Sequence, residues 1–256
     1  MREKKLVSLL LAGALTVSLA ACGGQEAVTN NQGGSQAETT NPGTAESTRP
    51  TEPQGQLIIG STTQMGNDFY DPKFSNNAVN YKTYDLLHGY ATVVNDMEGA
   101  LVYDPTVVAS HDAVENEDGT KTYTVTINDG LTWSDGTPIT AKDYVFQLLL
   151  ESSPEMNQVD GYPSQAGYSL VGYQEFFDGT TKNFAGVHLV DDMTYSVTVR
   201  ADELPFHYDI YYAIAIPRPL HVIAPGCDVV DAPEGATITG DFTAELLLET
   251  INNPTT

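Results

Sequence analysis

The chain has 256 residues and a formal net charge of −23 at pH 7, from 34 acidic and 11 basic side chains. Nucleic-acid-binding proteins present a basic surface to phosphate groups, so this balance argues against that class of partner. The acidity also gives no electrostatic attraction to anionic lipid.

The N-terminal residues 1–21 have the layout of an export signal, with basic residues first, an apolar stretch and then small residues. The apolar stretch is too short to span a bilayer, which takes about 20 predominantly apolar residues. The letters LAAC at 19–22 resemble the lipobox of bacterial lipoproteins, in which the cysteine is diacylated and becomes the mature N-terminus. We therefore predict a signal peptide over 1–21 and a lipid anchor on Cys22. The alternative is an ordinary signal peptide with an incidental cysteine.

Residues 22–55 contain no aromatic residue and almost no aliphatic one, so they cannot bury enough surface to fold. We predict a disordered tether with a coil-like end-to-end distance of about 30 Å. A lipidated Cys22 leaves Cys227 without an intramolecular disulfide partner, and we expect Cys227 to be an inert thiol.

The composition changes at residue 56, where Leu57-Ile58-Ile59 predicts a short buried strand. A helix follows, with Asn76 or Asn77 as its cap. Its apolar residues near helical spacing are Val79, Tyr84, Leu87 and Tyr90. A strand followed by a helix indicates an α/β lobe over 56–96.

Residues 97–185 predict a subdomain rich in hairpins. Tyr123, Val125 and Ile127 alternate with threonines after the turn letters NEDGT, which predicts a hairpin with one buried face. A strand through Trp133, expected to anchor the core, then leads through a tight turn at 134–137 into a helix. Thr140 and a capping-box residue, Asp143, open that helix, whose predicted apolar stripe is Tyr144, Val145, Leu148 and Leu149.

Residues 186–256 predict two strands joined at Asp191-Asp192, then an aromatic helical segment and an apolar stretch interrupted by Pro217 and Pro219. An amphipathic helix capped by Asp241 or Thr243 follows, with Leu246, Leu247 and Ile251 on its apolar face.

The sequence contains no recognisable catalytic or metal-binding motif. The five histidines, His88, His111, His188, His207 and His221, are far apart and have no helical pairing, so we predict no metal site. Nucleophile-elbow, phosphate-loop and zinc-protease motifs are missing as well, and we predict a binding protein without a cofactor rather than an enzyme. A surface hydrolase, an adhesive lipoprotein, or a truncated product without activity remain the alternatives.

The letters INDGLTWSDGTPITAKDYVFQL at 127–148 resemble a signature of the extracellular solute-binding proteins of peptide and nickel ABC importers, family 5. The stretches YDLLHGYATVVND, FAGVHLVDDMTYSVTV and ELPFHYDIYYAIAIPRPLHVI resemble three further parts of that family in the same order. The resemblance implies an α/β fold: a mixed-sheet lobe of the type II periplasmic-binding-protein kind with an inserted hairpin-rich subdomain at 97–185. The segment 186–256 would return to the first lobe, and the second lobe is expected to be absent from this chain.

The resemblance also implies a function. It points to a lipid-anchored protein on the extracellular or periplasmic face of the cell membrane, with an oligopeptide ligand and an ABC permease as partners. By position in the matching turn, His88, Gly89 and Tyr90 are the candidate ligand-binding residues, although His88 stands where the family has Glu. A helix stop with core packing is the alternative role for these three residues. One lobe offers only part of the contacts, so we expect no binding of peptide at micromolar concentrations by this chain alone.

Overall fold

The computed structural model describes residues 55–56, 58, 60, 62–64, 78–87, 89–159 and 167–252. The signal segment, Cys22 and nearly all of the tether lie outside these residues, as do Leu57, Ile59 and the two candidate cap asparagines. Ile58, the one described residue of the predicted first strand, lies in no strand.

The first described element is helix α1, Ala78–Leu87, which confirms the predicted helix. Tyr84 on this helix is buried, whereas Leu87, predicted on the same apolar face, is largely exposed. After the helix, strands β1, Val93–Asn95, and β2, Leu101–Tyr103, form a short antiparallel hairpin. The Asp96 carboxylate accepts backbone N–H bonds in the turn between them, which stabilises the reversal.

The predicted hairpin is formed by β3, Val108–Glu115, and β4, Lys121–Ile127. Tyr123, Val125 and Ile127 are buried, and the threonines between them face the other side of the sheet, as the alternation predicts. β3 is exposed along nearly all of its length because it forms an edge of the sheet. The polar letters SHD within β3 suit that edge position.

The main sheet has four antiparallel strands in the order β3-β4-β6-β5. β5, Val187–Leu189, and β6, Thr194–Val199, are joined through Asp191-Asp192 as predicted, and β6 pairs with β4 along six residues. Strands from 97–185 and from 186–256 therefore share one sheet, and the expected subdomain boundary crosses it. The assignment of these ranges to lobe and insert stays a prediction.

Helix α2, Ala141–Ser152, packs against β5 and β6. The Asp143 carboxylate accepts the Thr140 N–H at 2.9 Å, which confirms the predicted capping box. The helix is buried on every side rather than along one stripe, because Phe146 and Leu150 are as enclosed as Tyr144 and Leu149. The tight turn before it is closed by the Trp133 N–H bond to the Thr137 carbonyl, and the Trp133 ring is half-buried against the core.

The remaining helices and strands pack against α2 or against one another. They are α3, Pro154–Gln158; α4, Tyr173–Phe177; α5, Leu220–Ile223; strands β7, Asp228–Val230, and β8, Thr237–Thr239; and α6, Ala244–Asn252. The Leu246 N–H binds the Thr243 hydroxyl at 3.2 Å, which confirms Thr243 as the cap of α6.

The aromatic segment predicted as a helix instead forms two 3₁₀ turns, Ala201–Glu203 and Asp209–Ala213. Hydrogen bonds between residues three apart close the second turn, from Tyr211 N–H to the Tyr208 carbonyl and from Ile214 N–H to the Tyr211 carbonyl. Pro205 and Pro217 flank the segment, and their missing N–H groups limit how far a helix could extend beyond it.

Candidate ligand-binding site

The predicted site follows the end of helix α1, where the chain turns toward β1. Of the three predicted residues, the structure describes Gly89 and Tyr90, and His88 lies outside the described residues. Both Gly89 and Tyr90 are exposed. Gly89 has open space around its α-carbon on the side where a Cβ would stand.

Tyr90 is the one non-glycine residue with a positive φ in the described part of the chain, at 68°. A left-handed backbone is unfavourable for a bulky residue, and helices that end in this conformation normally place glycine there. Gly89, which would adopt it without strain, does not. Tyr90 is 38% exposed as a residue, so it is accessible to a bound molecule.

The hydroxyl of a fully buried tyrosine, Tyr144, binds the backbone of this turn. The Tyr144 hydroxyl of helix α2 donates a hydrogen bond to the Tyr90 carbonyl at 2.8 Å. The Tyr144 ring stacks on the Tyr195 ring of β6, with centroids 5.8 Å apart and planes inclined by 9°. Burial, the larger cause, and neighbouring groups raise the pKa of Tyr144, so its hydroxyl keeps the proton that it donates.

The segment after the turn is fixed by Thr92, which is completely buried. The Thr92 hydroxyl donates to the Ala213 carbonyl at 2.7 Å and accepts the Ala215 N–H at 2.9 Å. The Thr92 backbone N–H donates to the Ala215 carbonyl, and its carbonyl accepts the Asp104 N–H, each at 3.0 Å. The turn is thereby tied to residues 213–215 of the 186–256 segment, called the return segment below, and to the end of β2.

Next to this hairpin, Tyr103 of β2 stacks on His111 of β3 with ring centroids 3.8 Å apart. Burial raises the pKa of Tyr103 to about 12, with a smaller contribution from the Asp209 charge. The phenol is therefore neutral at physiological pH and cannot supply a second negative charge near Asp209.

A second surface, not predicted from the sequence, lies at the aromatic segment. Phe206, Tyr208 and Tyr211 are exposed there, beside a cavity of about 350 Å³. Lys121 and Asp209 form an ion pair at the cavity wall. This aromatic surface is a second place where an apolar group could pack.

The two acidic side chains buried within α2, Asp143 and Glu151, have structural partners. The Glu151 carboxylate pairs with the Arg218 guanidinium at 3.1 Å, and both side chains are almost completely buried. The Asp143 carboxylate also accepts the Leu220 N–H at 3.4 Å. These contacts join α2 to the return segment and form part of the fold rather than of an open site.

The remaining candidate groups for chemistry are dispersed. Within the described residues, His, Cys, Asp and Glu side chains form no group of three or more that could hold a metal ion. His221 pairs with Asp135 at 3.0 Å, and His188 pairs with Asp231 at 3.1 Å, on separate parts of the surface. Cys227 is a free thiol, and burial, followed by the Asp241 charge, raises its pKa.

Sequence reasoning proposed Tyr90 as a ligand contact and gave no role to the Tyr144 hydroxyl. Tyr144 was predicted only as a member of the apolar stripe of α2. The available signal was its hydroxyl, because a fully buried tyrosine usually has a hydrogen-bond partner for that group. The sequence could not identify the partner, since Tyr90 and Tyr144 are far apart in the chain.

The helices among the described residues include none that is both long and apolar enough to cross a bilayer.

The family comparison covers the main sheet and helix α2, and it begins after the Gly89–Tyr90 turn. Residues 103–242 match the family model of the bacterial extracellular solute-binding proteins, family 5, middle region. The periplasmic oligopeptide-binding protein OppA of Escherichia coli (strain K12) is 32% identical over 128 residues, which are 49% of this chain and 22% of that protein. The probable deoxycholate-binding periplasmic protein YgiS of the same organism is 31% identical over 126 residues, 49% of this chain and 23% of that protein.

Among solved structures, Listeria monocytogenes OppA bound to peptide aligns with a TM-score of 0.48 and 17% identity, over 64% of this chain and 34% of that chain. The matched region thus spans about a fifth of the length of the two curated relatives. The family and these relatives are binding proteins, and the α/β fold class expected from the resemblance is confirmed. Because the family model covers more than half of its length, this chain belongs to the bacterial extracellular solute-binding proteins, family 5.

Proposed function

We propose that this chain is the solute-binding component of an ABC importer and that its solutes are oligopeptides. The observation that carries the proposal is the family match over 103–242, with OppA of Escherichia coli as a relative that is 32% identical. A binding protein of this kind needs no catalytic group, which is consistent with the paired and dispersed polar side chains described above.

The proposed ligand contacts are at the turn after α1, with His88, Gly89 and Tyr90 as the residues concerned. Support comes from the exposure of Gly89 and Tyr90 and from the conformation of Tyr90. Backbone groups would pair with the peptide backbone, so that ligand sequence matters little, and closure of two lobes would complete the site in a full-length relative.

The proposed location is the outer face of the cell membrane, with a lipid on Cys22 and the 22–55 segment as tether. Two acyl chains give stable anchoring, whereas a single chain binds membranes marginally and reversibly. Membership of an extracellular family supports an exported protein, and the lipobox letters support the anchor. The permease would then receive the solute from a receptor kept within reach of the membrane.

A second solute class is favoured by one observation, because a relative of nearly equal identity is named as a probable deoxycholate-binding protein. Peptides and bile acids differ in their polar groups, since a peptide offers repeated backbone donors and acceptors and deoxycholate offers mainly an apolar ring system. The two classes can therefore be separated by direct titration of the same protein.

The test is an amide NMR titration of the ¹⁵N-labelled chain with trialanine, deoxycholate and Ni²⁺ in separate experiments. We expect saturable shifts of Gly89 and Tyr90 with trialanine alone, in the millimolar range, because one lobe supplies only part of the contacts. The Tyr90→Ala variant serves as the control and should bind about tenfold more weakly. Saturable binding of deoxycholate or Ni²⁺ without binding of trialanine would overturn the peptide proposal.

A further inference from the structure

The conformation of Tyr90 needs an external cause. The preceding glycine could take the left-handed conformation at no steric cost, yet the strained position falls on the tyrosine. Such strain persists only where the surrounding structure over-determines the backbone, and it concentrates at ligand-contact sites. A residue that fixes the Tyr90 backbone from outside the turn is therefore expected.

Two contacts fix that backbone. On one side, the Tyr144 hydroxyl binds the Tyr90 carbonyl at 2.8 Å. On the other side, two residues further along the chain, Thr92 is held by the Ala213 and Ala215 bonds described above. The Thr92 bonds constrain the exit of the turn, and the Tyr144 bond is the one that acts on Tyr90 itself.

Tyr144 suits this role because its own ring cannot easily move. The ring is completely buried on α2 and is stacked on Tyr195, which is also completely buried. A donor on so rigid a support fixes the direction of the Tyr90 carbonyl and, with it, the direction of the Tyr90 side chain. Functional residues are placed accurately when a packed, hydrogen-bonded layer supports them.

The Tyr90 ring is thereby presented to solvent next to Gly89, which has no side chain that could cover it. A tyrosine ring offers a large apolar surface, and its partly negative face and partly positive edge favour stacked or edge-to-face contact with other aromatic rings. We propose that Tyr144 is a positioning residue that sets the left-handed conformation of Tyr90, and that the Tyr90 ring contacts an apolar or aromatic side chain of the bound peptide. This inference rests on the proposed function.

The test compares two hydroxyl deletions in the same buried stack. Tyr144→Phe removes the donor to Tyr90, and Tyr195→Phe is the matched control, because the Tyr195 hydroxyl makes no hydrogen bond to Tyr90. The first readout needs no ligand: it is the strong HN–Hα nuclear Overhauser effect within Tyr90 that a positive φ produces. We expect Tyr144→Phe to lose this signal and Tyr195→Phe to keep it.

A third variant tests the strain independently. Tyr90→Gly should raise the melting temperature, because glycine adopts a positive φ freely, and should weaken the binding of triphenylalanine about tenfold. Tyr144→Phe should weaken the same binding by a similar factor, whereas Tyr195→Phe should change it less than about twofold.

The outcomes separate the inference from the proposed function. Retention of the Tyr90 signal in Tyr144→Phe, or equal effects of the two deletions, would overturn the positioning role. A lost signal with unchanged peptide affinity would overturn the contact between the Tyr90 ring and the ligand. If the unchanged chain and all variants bind no peptide, the proposed function fails, and the ligand-free signal alone decides the role of Tyr144.

Discussion

Asp143 and Asp209 are two carboxylates whose pKa values are shifted in opposite directions. Burial is the main cause at Asp143 and raises its pKa above 3.8, although the Thr140 and Leu220 N–H groups partly offset this effect. At Asp209 the hydrogen bond with Lys121 is the largest cause, and it lowers the pKa below 3.8. The folded state therefore disfavours the charged form of Asp143 and favours the charged form of Asp209.

These shifts predict opposite pH dependences of the free energy of unfolding. The folded state binds a proton at Asp143 more readily than the unfolded state does. The contribution of Asp143 to the free energy of unfolding therefore falls as pH rises from about 3.8 through the raised pKa. The Asp209 contribution is present above 3.8 and is lost as pH falls through the lowered pKa. Relative to the unchanged chain, Asp143→Asn should gain stability with rising pH, and Asp209→Asn should lose it.

The measurement is urea unfolding of the three proteins at intervals from about pH 3 to about pH 6, where carboxyl groups titrate. Each variant changes a single carboxyl group, so the large background of other acids cancels in the difference. Parallel stability curves for the two variants would contradict the assignment of opposite shifts.

At the scale of elements, strands and helix starts could be predicted from residues that are close together in the sequence. Alternating threonines and apolar residues predicted β4, and the Thr140–Asp143 pair predicted the start of α2, since both signals lie within a few residues. The burial of α2 on all sides could not be predicted in the same way. It arises because the return segment, through Arg218 and Leu220, covers a face that the local sequence gives no reason to cover.

The same limit applies to the candidate site. The turn at 88–90 was proposed from a family resemblance, whereas the Tyr144 hydrogen bond depends on tertiary packing between distant segments. The 3₁₀ conformation of Asp209–Ala213 was also missed, because the aromatic residues there suit either kind of helix and the flanking prolines do not specify which one forms.

A close approach of two segments gives a prediction at this scale. Gly235 has a φ of 114°, and a Cβ there would lie 2.2 Å from the Phe184 carbonyl oxygen. Phe184 and Ala236 form a bridge that joins the 184–186 segment to the β7–β8 hairpin. Gly235→Ala must displace the Phe184 backbone, and we expect it to lower the free energy of unfolding by about 3 kcal/mol or more.

Gly130 supplies the matched control for this substitution. It also has a positive φ, of 84°, but no atom lies within 4 Å of a Cβ built there. Gly130→Ala should therefore cost only the backbone strain, about 1 kcal/mol. Equal losses for the two variants in denaturant unfolding would show that the close approach at Gly235 has no energetic weight.

At the scale of the whole molecule, the acidity and the proposed anchor complement each other. With a net charge of −23, the protein gains no attraction to anionic lipid from its surface, so the proposed membrane association would have to come from the acyl chains on Cys22. The net charge keeps the protein soluble, and the lipid would keep it near its permease.

We therefore expect that replacing Cys22 changes the location of the protein and leaves its fold unchanged. Cys22→Ala should leave the protein uncleaved or released from the membrane fraction, because the diacylated residue no longer exists. Cell fractionation with detection of the chain length measures both effects, and Cys227→Ala is the matched control, since it removes the other thiol. Normal processing with unchanged membrane retention in Cys22→Ala would contradict the anchor.

Photo-cross-linking with a benzophenone-labelled tripeptide tests the peptide-binding claim most directly, because covalent capture detects weak binding. Trypsin cleavage separates residues 83–121, which contain the Gly89–Tyr90 turn, from residues 201–256, which contain the exposed aromatic surface, since trypsin does not cleave between Arg218 and Pro219. We predict labelling of the 83–121 fragment at Gly89 or Tyr90, suppressed by excess unlabelled tripeptide and reduced in Tyr90→Ala. Labelling confined to 201–256, or labelling that unlabelled peptide does not suppress, would contradict the account.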